Sequence, residues 1–354
     1  MLYPLKFRPA YKNYIWGGRN LEKLGKALPE GKIAEAWEVS SHPDGISIIS
    51  NGIFQGLSLK ELIEKCPQDV MGLDIWKHHK TYFPLLFKLI DANDKLSVQV
   101  HPDDEYARIN ENNVFGKHEA WYIIDAKPNA KIVYGLISGI NKDIFSRSVC
   151  ENKIESCLNY INVFPGDTID VQSGIVHAIG KGIVLAEIQQ NSNLTYRVYD
   201  YNRLDEKGNS RTLHIEKALE VINFNTNCNM AKVKGLDLPI DSGSTKTYKL
   251  SNRYFSLELL NISEKFEENA KGNKFYIYFF IEGEALIKYY EGTTYAKKGE
   301  TVLIPASLGE YIIWGNFKAL KIYVPDLQQD IISPLIKAGY SIDEIYKNVC
   351  RCDM

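Results

Sequence analysis

Short runs in which apolar and polar residues alternate, separated by Gly, Pro, Asn and Asp, make up most of this chain. A period of two predicts half-buried strands, and many such runs in succession predict an all-β sandwich or barrel. In "LSVQVHPDDEYA" (96–107), Leu96, Val98 and Val100 alternate with Ser97, Gln99 and His101 until Pro102 ends the ladder. Gln99 and His101 therefore share one strand face. Helical insertions break the pattern. In "SLKELIEKCPQDVMGLDIW" a helix begins after Ser58, an N-cap with Glu61 at the third helical position, and Pro67 limits or divides it. The spacing of Ile144, Val149, Ile154, Leu158 and Ile161 predicts a second helical segment from about 142 to 160, and "TLHIEKALEVINF" (212–224) a short third one. "GLDLPIDSGSTKT" (235–247) reads as a loop near a domain boundary, with strands resuming from Tyr254.

The chain repeats itself. "PGDTIDVQSGIVHAI" (165–179) aligns with "KGETVLIPASLGEYII" (298–313) without a gap at an offset of 133 residues, placing Gly166 on Gly299, Thr168 on Thr301 and His177 on Glu310. This unit resembles the second conserved stretch of the cupin superfamily, in which a Gly, a Pro, a second Gly and a His recur at fixed spacing. The first copy has Gly166, Gly174 and His177, with Gln172 in the Pro position; the second has Gly299 and Pro305, with Ser307 and Glu310 in the last two. The resemblance implies an all-β fold with helical insertions, built as two cupin-type jelly-roll β-barrels. Residues 1–234 would form the catalytic cupin domain, 248–325 a degenerate second barrel and 326–354 a tail. No histidine follows His214, so the second barrel has no means to rebuild a histidine-based site.

Composition removes several function classes. At 354 residues the chain is long enough for two domains, and 45% apolar with 24% charged residues is a globular composition. A net charge of −2 argues against a nucleic-acid or membrane-surface partner. Neither a signal-peptide-like start nor an 18-residue apolar span occurs, and the expected location is cytoplasmic. The six cysteines show no metal-type spacing and read as free thiols, with Cys350 and Cys352 an incidental pair near a fraying end.

The polar residues of the first half offer one chemistry. His101, Glu119 in "GKHEAWYI" and His177 supply two imidazoles and a carboxylate, with Gln99 as an optional fourth donor. That set suits Zn²⁺ or another divalent first-row ion. Taken alone, such a histidine is more often a structural residue and such a glutamate more often a surface charge. His118, next to Glu119, points to the opposite face and is not counted as a ligand.

"PLLFKLIDANDKLSVQVHPDDEYA", "GKHEAWYI" and "HAIGKGIVLAEIQQNSNLTYRVYDYNR", together with "YIWGG" and "EAWEVSSHPDG", resemble type I phosphomannose isomerase in its shorter bacterial form, over residues 1–325. The resemblance implies a zinc-dependent aldose–ketose isomerase that interconverts mannose 6-phosphate and fructose 6-phosphate through an enediolate, with one Zn²⁺ per chain. It implies His101, Glu119 and His177 as ligands, with Gln99 or a water as the fourth. Lys117 and Arg197 match catalytic positions and Lys88 a substrate-binding one, while Arg203 would suit phosphate or a structural turn. Ile179 and Asn193 depart from the longer eukaryotic-type pattern, which has Tyr and Asp there. A zinc-bound hydroxide, Lys117 and Glu187 stay open as general base. Trp16 is expected to pack in the core, and Glu38 and His42 to lie near the site. An Fe²⁺ oxygenase or a non-catalytic sugar-phosphate binder would be the alternatives. The cluster of Lys88, Lys117 and Arg197 and the intact ligand set favour the isomerase.

Overall fold

The computed structural model describes residues 2–351 except 113, 205–207 and 227. Its strands form sheets of seven, five and eleven strands. The seven-stranded sheet centres on Leu85–Ala92, Ile183–Gln190 and Glu119–Ala126. Against it lies the five-stranded sheet, with Val98–Val100 between Tyr196–Tyr199 and His177–Ile179. The chain is thus mostly β, but the pairing closes no barrel among the described residues: each sheet ends on free edges.

Alternation along the central strands separates two interiors. Ala36, Phe87, Leu89, Ala120, Tyr122, Ala186 and Ile188 face the eleven-stranded sheet, where Leu257, Ile277, Phe279, Leu303, Leu320 and Ile322 join them in one core. Phe83 meets Phe275 at 4.6 Å between ring centroids and Phe87 meets Phe279 at 5.8 Å, so aromatic packing fastens the two halves. The opposite face of the seven-stranded sheet carries Trp121, Ile90 and Ile169 towards Ile132, Tyr134 and Ile179 of the five-stranded sheet. Because the side-chain period is two, the same strands build a dry core on one side and present polar groups on the other.

The strand register makes the repeat physical. Across the seven-stranded sheet runs the row Ala10–Trp37–Lys88–Glu187–Trp121–Ile169. Across the eleven-stranded sheet runs Leu236–Tyr248–Glu258–Lys321–Tyr278–Val302. Ile169 and Val302 stand at the same 133-residue offset as the repeated sequences. Each row places an aromatic on either side of a buried ion pair, and the charges are reversed: Lys88 with Glu187 in one half, Glu258 with Lys321 in the other. Two rows further, Glu119 opposes Val171 and Tyr276 opposes Ile304, so a tyrosine stands in the second half where the first has its carboxylate. Tyr276 and Tyr323 close on the Lys321 ammonium at 4.4 and 5.1 Å, filling that interior.

The helices and the second-half segments follow the sequence signals with four corrections. Ser58 and Glu61 form the expected capping box, Pro67 separates Leu59–Lys65 from Pro67–Met71, and Gly72, at a φ of 95°, separates that turn from Leu73–His79. The predicted 142–160 helix stops at Cys150; Asn152 takes a positive φ of 56°, and Leu158–Asn162 is a strand paired with Lys131–Leu136. The apolar residues there read equally well at either period. The third helix is confined to Ile215–Val221. The predicted 235–247 loop is mostly a hairpin, Leu236–Pro239 with Thr245–Ser251, because an edge strand tolerates Pro at its end. The residues after 325 pack rather than fray: Ile331, Leu335, Ile345, Val349 and Cys350 are buried in the second core. Cys66, Cys150, Cys157 and Cys228 are free thiols, and Cys352 lies outside the described residues. No described helix is long and apolar enough to cross a membrane.

The reversed pair yields a stability test. Lys321 lies 3.6 Å from Glu258 and also pairs with Glu268. Lys321→Met strands a buried carboxylate and should cost about 3–5 kcal/mol in chemical denaturation. Adding Glu258→Gln should recover part of that loss; an equal loss in the double variant would show that the pair is not what Lys321 stabilises.

Candidate active site

His177 opens a strand whose Cα partner across the ladder is Gln99, and Gln99 in turn opposes Arg197. These three positions form a row on the five-stranded sheet, facing Lys88, Glu119 and Glu187 of the seven-stranded one. His101 follows its strand directly and meets the site from the edge. The result is a group in which one ligand-type atom each from His101, Glu119 and His177 lies within 4.8 Å of the others, all three side chains buried. His101 Nε2 is 3.2 Å from Glu119 Oε1, and His177 Nε2 is 3.7 Å from Glu119 Oε2. Gln99 Nε2 lies 3.3 Å from His177 Nε2.

Tautomer and protonation follow from the surroundings. His177 Nδ1 lies 2.8 Å from the carbonyl of Ile175, which fixes Nδ1 as the donor and leaves the Nε2 lone pair towards Glu119. Burial holds His101 neutral, its pKa pushed down to about 3, with the Lys117 ammonium acting in the same direction. Burial lowers His177 as well, against the pull of Glu119. For Glu119 burial favours protonation, yet Lys117, His101 and His177 outweigh it and keep the carboxyl well below its ordinary value. Two neutral imidazoles and an ionised carboxylate are what a divalent first-row ion requires. Glu119 Oε1 is enclosed and accepts no hydrogen bond of acceptable geometry. The residues present fit a metal.

In front of this group lies a cleft of about 330 Å³ lined by Gln99, Lys117, Lys88, Glu187, Glu35, Arg197, Arg211, Tyr14 and Asn193 among others. None of the three ligand-type residues lines it directly; Gln99 and Lys117, which touch them, do. Lys117 Nζ is 2.5 Å from Glu119 Oε1 and 3.3 Å from His101 Nε2. Lys88 Nζ is 3.0 Å from Glu187 Oε1 and 4.0 Å from Glu35 Oε2, and it lies over the Trp37 ring. Burial works against its charge, but Glu187, Glu35 and Glu119 together hold the ammonium above its ordinary value. Glu187 is shifted upward by burial and by Glu119. Trp121 Nε1 donates to Glu187 Oε2 at 3.0 Å and to Glu119 Oε2 at 3.2 Å, tying the two carboxylates together. Arg197 donates from Nε to Ser97 Oγ and from Nη1 to the Thr212 carbonyl.

Every residue singled out in the first half can now be located. His101, Glu119, His177, Gln99, Lys117, Lys88 and Arg197 converge, and Ile179 and Asn193 line the same cleft. His118 turns away and reaches Asp170 at 2.7 Å. Arg203 pairs with Asp200 and lies outside the cleft lining. Glu38 points to the other sheet face, against Lys26 and Thr301, while His42 sits over Asp44. The residue of "EAWEV" that reaches the cleft is Glu35, two positions before Trp37 and so on its face. That period was legible; which face looked inward was not. Trp16 is buried, as expected, and Gly17 and Gly18 beside it serve close approach rather than an unusual φ: a Cβ on Gly17 would lie 2.6 Å from Ala34 N and one on Gly18 2.7 Å from Asp91. Tyr14 and Arg211 carried no sequence signal tied to the site.

Comparison with known proteins places this geometry. Residues 4–133 match the model of the phosphomannose isomerase type I catalytic domain, and residues 244–324 that of the mannose-6-phosphate isomerase cupin domain. Mannose-6-phosphate isomerase ManA of Bacillus subtilis is 38% identical over 321 residues, covering 88% of this chain and 96% of its own. The probable mannose-6-phosphate isomerase GmuF of the same organism is 45% identical over 223 residues, 63% of this chain and 69% of its own. A crystal structure of the mannose 6-phosphate isomerase from Bacillus subtilis superposes with a TM-score of 0.83 at 35% identity, covering 91% of this chain and 99% of that one. A variant of phosphomannose isomerase from Salmonella typhimurium shares the fold at 17% identity, with a TM-score of 0.75 over 91% of this chain and all of its own. The burial, the donor set and these likenesses agree, and the chain belongs to the type I phosphomannose isomerase family.

Proposed function

We propose that this enzyme, a mannose-6-phosphate isomerase by family, holds one Zn²⁺ on His101, Glu119 and His177, and moves a proton between C1 and C2 of the sugar through an enediolate. The observation that carries the reading is the enclosed His101–Glu119–His177 group at the back of a cleft lined by Lys117, Lys88, Glu187 and Arg197. Bound there, the ion supplies Lewis-acid stabilisation of the negative charge that develops on the sugar oxygens. It and the Lys117 ammonium would compete for the same Glu119 oxygen, and Gln99 is the neighbouring side chain available as a further donor.

The rest is done by the chain's own residues. Glu187 is our candidate for the group that takes and returns the proton. It lines the cleft, its oxygens are fixed by Lys88 and Trp121, and its raised pKa makes it a stronger base than an ordinary carboxylate. Lys88 orients Glu187 and offers its remaining donors to sugar oxygens. Lys117 is less suited to the base role because its ammonium lies against Glu119. Released from that contact, it would face the same developing charge as Arg197, whose guanidinium stays protonated and presents a planar fork. A charged, lysine- and arginine-lined cleft is also unlike the apolar pocket an Fe²⁺ oxygenase would need, and the intact site argues against a non-catalytic binder.

Mannose 6-phosphate turnover, followed by coupled assay, should vanish on chelation, return with Zn²⁺, and be lost in His177→Ala. Full turnover in metal-stripped protein would overturn the metal assignment. Glu187→Gln should lower kcat by about 10²–10⁴ while retaining metal, and should abolish incorporation of solvent deuterium at C2 of mannose 6-phosphate formed from fructose 6-phosphate. Near-normal kcat and exchange in that variant would move the base elsewhere.

A further inference from the structure

The segment that carries Lys117 and Glu119 has a second side. Those two side chains turn to the metal-type group, and His118 between them turns away. The main chain on that outer side is held by side chains. Gly116 N donates to Asp104 Oδ1 at 2.9 Å, His118 N donates to Gln190 Oε1 at 3.0 Å, and Gln190 Nε2 donates in turn to Asp104 Oδ1 at 2.9 Å. The amides on either side of Lys117 are therefore fixed, and both holds run through one carboxylate. Asp104 stands three residues after His101, at the start of the helix Asp104–Asn110. The same group thus joins the segments that bear His101 and Glu119. They pack without slack: a Cβ on Gly116 would lie 2.4 Å from the Asp103 carbonyl carbon and 2.5 Å from Asp104 N.

What holds Asp104 comes from the second half of the chain. Tyr254 donates its hydroxyl to Asp104 Oδ2 at 2.7 Å, a hydrogen bond strengthened by the charge of the acceptor, and the Arg253 guanidinium donates to the same hydroxyl. Tyr254 sits in the turn between Thr245–Ser251 and Ser256–Ile262, and Asn252 fixes that turn by accepting from the amides of Tyr254 and Phe255 at 2.8 and 2.9 Å. The turn also encloses His118, whose ring meets Phe255 edge-on at 5.7 Å and Tyr254 at 5.8 Å. We propose that Tyr254 and Asp104 are positioning residues through which the second half sets the geometry of Lys117 and Glu119, and with it the metal affinity of a site that lies wholly in the first half. The proposal rests on the metal assignment above and adds to it what holds the ligand-bearing segments in place. Neither Tyr254 nor Asp104 lines the cleft, so both act through the backbone of 116–119. Outer contacts of this kind orient ligands that must sit within a few tenths of an ångström of their working positions.

The test compares wild type with Tyr254→Phe, Asp104→Ala and the double variant. Tyr340→Phe is the control, since it removes a 2.8 Å hydroxyl hydrogen bond to the Asp237 carbonyl within the second half. Zn²⁺ affinity is measured by competition with a chromophoric chelator, and kcat and KM with mannose 6-phosphate on zinc-saturated protein. Tyr254→Phe should weaken Zn²⁺ binding and lower kcat by about tenfold, and Asp104→Ala by up to about a hundredfold, with KM changing less. Tyr340→Phe should match wild type in both. Because the hydroxyl acts through Asp104, the double variant should be no weaker than Asp104→Ala alone. Wild-type zinc affinity and kcat in Tyr254→Phe, or an equal loss in Tyr340→Phe, would overturn the proposal. Absence of zinc binding in wild type would instead remove the metal assignment. Amide hydrogen exchange at Gly116 and His118 then decides the hold itself: faster exchange in Tyr254→Phe than in Tyr340→Phe supports it, and equal exchange overturns it.

Discussion

A carboxylate with no exposed surface must be matched by positive charge or carry a proton, and Glu119 is such a carboxylate. Its solution sets the geometry around it. Lys117 lies against one oxygen, Trp121 donates to the other, and two imidazoles stand at hydrogen-bonding or near-contact distance. Removing those neighbours would leave an uncompensated buried charge, so their positions are constrained by stability as well as by chemistry. The strands bearing Glu119, Gln99, His177 and Glu187 must keep register, since a slip of one residue would send every one of these groups to the opposite face.

The second half of the chain shows the same constraint met differently. Both halves bury an ion pair at the centre of a cross-strand row, flanked by aromatics, but Lys88–Glu187 has become Glu258–Lys321. With Tyr276 in the register position of Glu119 and tyrosine rings packed around Lys321, that pair is sealed. In the first half the corresponding pair lines a cleft. One pattern of strand pairing therefore supports a reactive interior and a closed one, and the difference lies in a handful of side chains. The shared aromatic core between the large sheets joins them.

Much of this was legible from the sequence because period two and capping chemistry are local. Ser58 with Glu61, the helix division at Pro67 and the common face of Gln99 and His101 needed no tertiary information. The donor set was legible through the motifs that resemble the isomerase family. What stayed hidden depended on long-range pairing. The reading of 142–160 as one helix failed because its apolar spacing fits both periods and only pairing with Lys131–Leu136 selects the strand. The Glu35 and Glu38 choice turned on which face of a strand meets the cleft. The reversed-charge row joins residues as distant in sequence as Trp37 and Glu187, and no local pattern could have shown it.

The central claim is that the His101–Glu119–His177 group is built for one divalent ion. Elemental analysis of the purified chain, after dialysis against Zn²⁺ and removal of excess, tests it without reference to turnover. The account predicts about one zinc per chain in wild type and a substoichiometric content in Glu119→Gln with the fold retained by circular dichroism. Equal metal content in the two proteins, or none in folded wild type, would contradict it.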